Sequence, residues 1–181
     1  MKVGANGWVS GLRQIVTPNC DSRPPGSKIN LLVIHNISLP PGEFGGQAIL
    51  RLFSNTLDTE LHPYYAQLKG VKVSAHFLIR RGGEIVQFVP CAKRAWHAGV
   101  SSWQGRTACN DFSLGVELEG CDDVPFSEQQ YAALTRLTRR LKHAYPIRDI
   151  VGHSDIAPQR KTDPGPCFDW LRYLAAVNLR G

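Results

Sequence analysis

His153, Lys161 and Asp163 share one polar stretch, Gly152-His153-Ser154-Asp155-Ile156-Ala157-Pro158-Gln159-Arg160-Lys161-Thr162-Asp163-Pro164-Gly165, stiffened by two prolines and bounded by glycines. A loop of this kind suits ligands held still better than simple chain reversal. His153 follows the short apolar run Ile150-Val151, and His35 follows Leu31-Leu32-Val33-Ile34. Both imidazoles therefore stand where an apolar strand ends, the usual place for functional groups in α/β sheets. Two imidazoles with the carboxylate of Asp163, and a fourth position left for water, make the ligand set of a catalytic zinc ion. Such an ion brings the pKa of its water to about 7 and polarises a carbonyl. Taken singly, each histidine can equally satisfy a local hydrogen bond, and Asp163 can cap a terminal helix. The chain has no HExxH, so spacing alone leaves both readings open.

Glu117 is the candidate base. It lies in the run Leu114-Gly115-Val116-Glu117-Leu118, where burial raises a carboxyl pKa toward the neutral range of a proton shuttle. Glu119 better fits the solvated edge of the same strand. Lys161 supplies a fixed positive charge for an oxyanion, or else is an exposed loop lysine. Trp96 with His97 can line a pocket or stack on a sugar, or sit in the core. Asp155 reads as structural.

Around these residues the periodicity predicts one α/β domain, residues 1–181, with a mixed central sheet flanked by helices. Residues 1–29 read as an irregular arm, 31–35 as a strand buried on both faces, and 46–57 as a short helix. His62-Pro63-Tyr64-Tyr65 reads as a loop. The segments 73–79 and 84–89 flank Arg80-Arg81-Gly82-Gly83 as a hairpin, 93–108 as a binding loop, and 112–118 as a strand. Ser127-Glu128-Gln129-Gln130 is a capping box opening a helix that ends before Pro146. A short strand over 150–153 and a helix over 168–177 complete the chain.

Composition narrows the class. The 43% apolar and 20% charged content is that of a soluble globular protein. No apolar run approaches the roughly 20 residues of a membrane span. Neither a secretory h-region nor a CxxC pair among the five cysteines is present, so the expectation is mostly buried thiols in a reducing cytoplasm. The formal charge of +6 has no dense Lys/Arg tract behind it. The expected partner is a small anionic substrate rather than nucleic acid or a membrane.

The stretches LLVIHNISLPPGEFGG, VSAHFLIRRGGEIVQFVP, KRAWHAG, CNDFSLGVELEG and GHSDIAPQRKTDPGP resemble the zinc amidase and peptidoglycan-recognition superfamily, in its branch of bacterial cytosolic amidases that recycle cell-wall fragments. The resemblance runs from about Trp8 to Trp170. It implies one Zn2+ per chain on His35, His153 and Asp163, Glu117 as catalytic acid/base and Lys161 as the group stabilising the transition state. It further implies hydrolysis of the amide between 1,6-anhydro-N-acetylmuramic acid and the L-alanine of a stem peptide, by a monomer. Asn36, Tyr64, Trp96 and His97 match positions near the family's pocket. Two positions depart from the pattern, Lys72 and Ala108, where relatives carry arginines that hold substrate carboxylates. Lys72 keeps the charge without the bidentate fork, Ala108 keeps neither, and the nearby Arg106 is the candidate substitute.

Two other functions fit the same resemblance: a lytic amidase acting on intact peptidoglycan, and a non-catalytic peptidoglycan-binding protein. The absence of a linker or wall-binding module weighs against the first. The complete ligand set weighs against the second.

Overall fold

Leu31-Leu32-Val33-Ile34 has no polar face, and the fold gives it none to show: this run is the core of a strand with parallel neighbours on both sides. The computed structural model describes residues 1–179. In chain order the elements are β1 (Arg13–Gln14), β2 (Cys20–Ser22), β3 (Leu31–Ile37), α1 (Ala48–Phe53), α2 (Pro63–Ala66), β4 (Phe77–Ile79), β5 (Ile85–Gln87), β6 (Lys93–Ala95), β7 (Ser102–Trp103) and β8 (Arg106–Thr107). A 3-10 turn (Cys109–Asp111) leads to β9 (Ser113–Glu119), α3 (Glu128–Ala144), β10 (Asp149–Gly152), α4 (His153–Ile156) and α5 (Trp170–Asn178).

The main sheet has the order β1-β5-β4-β9-β3-β10, with every pairing parallel except the β4–β5 hairpin. It is a mixed sheet in a single α/β domain, as the periodicity implies. Alternation divides its side chains between two layers. Leu32, Ile34, Phe77, Ile79, Val116 and Leu118 pack under α3 and α5, together with Leu134, Leu137, Leu141 and Tyr173. Leu78 and Val86 face the other way, toward Leu50, Phe53 and Tyr65 of α1 and α2. The capping box at Ser127 is present, its hydroxyl accepting from the Gln130 amide while the Gln130 side chain accepts from the Ser127 amide.

Several elements differ from the sequence expectations. Residues 1–29 are more regular than an arm: β1 extends the main sheet alongside β5, and β2 pairs antiparallel with β6. Buried Gln87 explains why this segment is ordered. Its Oε1 accepts from the Val9 amide at 2.8 Å and its Nε2 donates to the Gly7 carbonyl at 2.9 Å. The loop expected at His62–Tyr65 is instead the start of α2, capped by the His62 ring accepting from the Tyr64 amide. The segment 93–108 contains β6 and the β7–β8 hairpin. Glu119 is buried, not solvated, because it accepts from the amides of Gly45 and Arg81. All five cysteines are free, with Cys91 and Cys109 buried and the other three half-buried.

Replacing Gln87 with Leu keeps the volume but leaves the Val9 amide without its buried partner and removes one of two donors to the Gly7 carbonyl, the other being the Cys91 amide. We expect a loss of about 2 kcal/mol or more in urea unfolding, and faster amide exchange at Val9 than in the parent protein.

Candidate active site

The strand register assembles the site. β9 pairs with β3 so that Glu117 stands beside His35, and β10 pairs with β3 so that Gly152 stands beside Ile34, which brings His153 next to His35. All three side chains emerge at the carboxyl end of parallel strands, where α/β sheets carry their ligands. Asp163 returns to this edge through the turn that follows α4. The Ser154 amide donates to the Asp163 carbonyl at 3.0 Å, and Asn36 Nδ2 donates to the Pro164 carbonyl at 3.1 Å and to Asp122 Oδ1 at 2.7 Å. Two glycines let the pieces close up. A Cβ at Gly152 would lie 2.8 Å from Pro164 Cδ, and one at Gly165 would lie 2.5 Å from Asp122 Cα.

Three atoms converge. His35 Nδ1 lies 3.0 Å from His153 Nδ1 and 3.0 Å from Asp163 Oδ2, and the third edge, His153 Nδ1 to Asp163 Oδ2, is 3.1 Å. A triangle of that size lets one ion sit about 2.0 Å from all three corners, the bond length of zinc to imidazole nitrogen and carboxylate oxygen. Hydrogen placement points the same way. His153 Nε2 faces the Ala98 carbonyl at 3.2 Å, which can only accept, so that nitrogen carries the hydrogen. A neutral His153 ring then turns a lone pair toward the lone pairs of Asp163. Such atoms at 3.1 Å repel unless a proton or a cation lies between them. The residues present therefore fit a divalent metal with two imidazole ligands and one carboxylate.

Burial pushes the His35 imidazole down to about 4, with the adjacent Asp163 carboxylate opposing that shift. Burial likewise holds His76 and His97 well below the usual histidine range. For Asp163 burial alone acts upward, but the His153 and His35 imidazoles against its Oδ2 prevail and hold its carboxyl far below the usual range. Glu117 goes the other way. Burial, reinforced by the Asp163 charge, raises it well above the carboxylate norm despite Lys161 nearby. Its Oε2 is buried without a hydrogen-bond partner, which leaves a carboxyl free to exchange a proton with whatever enters.

His35, Glu117, His153 and Asp163 line a cleft of about 520 Å3, together with Asn36, Tyr64, Trp96, His97, Lys161 and Asp122. A roomier depression of about 640 Å3 lies between α3 and α5; convergent chemistry, not volume, distinguishes the cleft. His97 reaches the cleft chiefly from beneath, its Nδ1 lying 2.9 Å from His35 Nε2. Lys72 and Arg106 lie outside the cleft lining. Lys72 is exposed next to Val73, whose side chain takes the inward position. The Arg106 guanidinium stacks 3.6 Å over the Phe112 ring and donates to Asn30 Oδ1 at 3.3 Å. Asp163 does not cap α5, a role taken by Asp169, and Asp155 Oδ2 accepts from the Gly152 amide at 2.7 Å, a structural role. Reading the sequence residue by residue missed Asp122 and the carbonyl of Ala98; no spacing signal marks either one.

The family model described as N-acetylmuramoyl-L-alanine amidase matches residues 25–166. The chain belongs to the N-acetylmuramoyl-L-alanine amidase family. This amidase is 55% identical over 174 residues to the 1,6-anhydro-N-acetylmuramyl-L-alanine amidase AmpD of Escherichia coli K12, a match covering 95% of each chain. A crystal structure of a selenomethionine derivative of AmpD superposes with a TM-score of 0.93 at 55% identity, covering 95% of the amidase and 97% of that chain. The amidase AmiD of E. coli, solved with anhydro-N-acetylmuramic acid-L-Ala-D-γ-Glu-L-Lys, matches at a TM-score of 0.61 and 32% identity, covering 85% of this chain and 60% of that one. Among the described residues no helix is long and apolar enough to cross a membrane.

The buried histidines give the metal-free amidase a signed pH dependence. Their folded pKa values lie below the unfolded value near 6.5, so acid favours the unfolded chain. Stability present above pH 6.5 should be lost as the pH falls toward 4, at up to roughly 1.4 kcal/mol per unit for each histidine. Glu117, raised in the fold, takes up its proton earlier there and opposes this trend. Urea midpoints at pH 7, 6 and 5 should therefore fall, and should fall more steeply in Glu117→Gln.

Proposed function

We propose that this protein is a zinc-dependent amidase that hydrolyses the amide joining the lactyl group of 1,6-anhydro-N-acetylmuramic acid to the L-alanine of the stem peptide. The observation that carries the reading is the pairing of a three-ligand cluster with an unpartnered, buried Glu117 carboxyl in one cleft. The likeness to AmpD over 95% of both chains supports the anhydro-muropeptide as substrate. The protein acts as a monomer in the cytoplasm, in the turnover of cell-wall fragments.

His35, His153 and Asp163 would hold the ion. When bound, zinc supplies Lewis acidity toward the scissile carbonyl and lowers the pKa of water to about 7. Glu117 accepts a proton from the attacking water, for which its raised pKa suits it, and returns that proton to the departing alanine nitrogen. Lys161, half-buried at the cleft wall, places an ammonium where the carbonyl oxygen gains charge. Asn36, Tyr64 and Trp96 provide the walls that orient the sugar and the first peptide unit. Lys72 and Arg106 would contact a longer stem peptide only beyond the cleft proper.

Glu117→Gln keeps the shape and removes the exchangeable proton. Its zinc content, measured by atomic emission, should match that of the parent protein, while turnover of anhydro-muropeptide followed by product chromatography falls at least about 100-fold. Unimpaired turnover would remove Glu117 from the mechanism. Parallel incubation with intact sacculi should release little product, and efficient solubilisation there would favour a lytic amidase.

A further inference from the structure

Both imidazoles of the ligand cluster have a second nitrogen, and both of these far nitrogens meet the same short segment. His35 Nε2 lies 2.9 Å from His97 Nδ1, and His153 Nε2 lies 3.2 Å from the carbonyl of Ala98, the next residue. Both amides of that segment are held by one side-chain oxygen: Asn110 Oδ1 accepts from the His97 amide at 3.1 Å and from the Ala98 amide at 2.9 Å. Arg160 Nη2 donates to the Ala98 carbonyl at 2.8 Å, and the His97 ring is completed by Ser113 Oγ, 3.1 Å from its Nε2. The strand beneath makes room for it, since a Cβ at Gly115 would lie 2.5 Å from His97 Cγ.

We propose that His97 and Ala98, pinned by Asn110, form a positioning clamp that sets the tautomer and pitch of both metal-binding imidazoles at once. The carbonyl of Ala98 requires a hydrogen on His153 Nε2, leaving its Nδ1 lone pair for the ion. His97 Nδ1, with its own hydrogen on Nε2 directed at Ser113, accepts from His35 Nε2 and leaves the His35 Nδ1 lone pair for the ion in the same way. Outer groups of this kind orient ligands and raise their basicity. Here the two are chemically different, a ring and a carbonyl, yet share one backbone anchor. Asn110 bonds none of the three ligands and does not itself line the cleft, so its influence passes through His97 and Ala98. His97 thereby acts as a positioning residue rather than a contact to the sugar.

This inference rests on the proposed metal site, and the test separates the two. Zinc affinity is measured by competition with a chromophoric chelator, the ligand field by the visible spectrum of the cobalt-substituted protein, and KM and kcat under saturating zinc. In Asn110→Ala zinc affinity should fall about 10-fold and in His97→Ala about 10- to 100-fold, with a changed cobalt spectrum and unchanged KM. Asn110→Asp, which keeps the accepting oxygen, should restore affinity to within about 3-fold of the parent protein. Parent-like zinc affinity in both alanine variants would overturn the clamp, as would a raised KM in His97→Ala with the metal parameters unchanged. If circular dichroism shows either variant unfolded, Ser113→Ala decides: reduced affinity supports the clamp and unchanged affinity rejects it. A parent protein that binds no zinc would instead reject the metal site itself.

Discussion

The parallel ladder of β9, β3 and β10 is the constraint on which the rest depends. Its register places Glu117, His35 and His153 side by side across three strands. A shift of one residue would reverse every side chain. His35 and Glu117 would then face α3 and α5, and Ile34 and Val116 would face the cleft. The apolar layer beneath the long helices thus protects the geometry of the candidate site. Leu32, Ile34, Val116 and Leu118 cannot leave that layer without a large loss of burial energy.

Polar groups gathered in this dry edge cost free energy, and the surroundings offset most of it through hydrogen bonds. His76 shows the pattern: its Nδ1 accepts from the Gly115 amide, and its Nε2 faces the Lys93 carbonyl. The neighbouring Arg23 guanidinium donates to the carbonyls of Cys91, Asn110, Asp111 and Ser113, tying together the loops behind the cleft. Two sites do not follow this rule. The ligand triangle holds three electron-rich atoms against one another, and Glu117 Oε2 has no partner at all. Departures from polar satisfaction are expected where a ligand or reactant completes the set.

Much of the architecture was legible because it obeys local rules. The apolar run at Leu31 marked a buried parallel strand, the Arg81-Gly82-Gly83 turn marked a hairpin, and Ser127 with Gln130 marked a helix start. What eluded local reading depends on distant partners. The segment before Leu31 has no period of its own, yet Gln87 fixes it from across the sheet. Glu119 alternates with apolar residues as a solvated side chain would, but the amides of Gly45 and Arg81 cover it. Lys72 and Arg106 have the charge for a substrate site, while their positions are set by the inward turn of Val73 and by the Phe112 ring.

The sequence by itself determined the family and pointed to candidate ligands and a candidate base, because long ungapped motifs and residue chemistry are properties of the chain. Only the tertiary structure decided that His35, His153 and Asp163 meet at 3.0–3.1 Å, and that the His97 ring lies 2.9 Å from the far nitrogen of His35. Strand register and loop return link residues more than a hundred positions apart, and no periodicity along the chain encodes such a pairing. The candidate ligands could be picked out one at a time from sequence, but the single point they share exists only once β3 and β10 align and the chain after α4 returns to them.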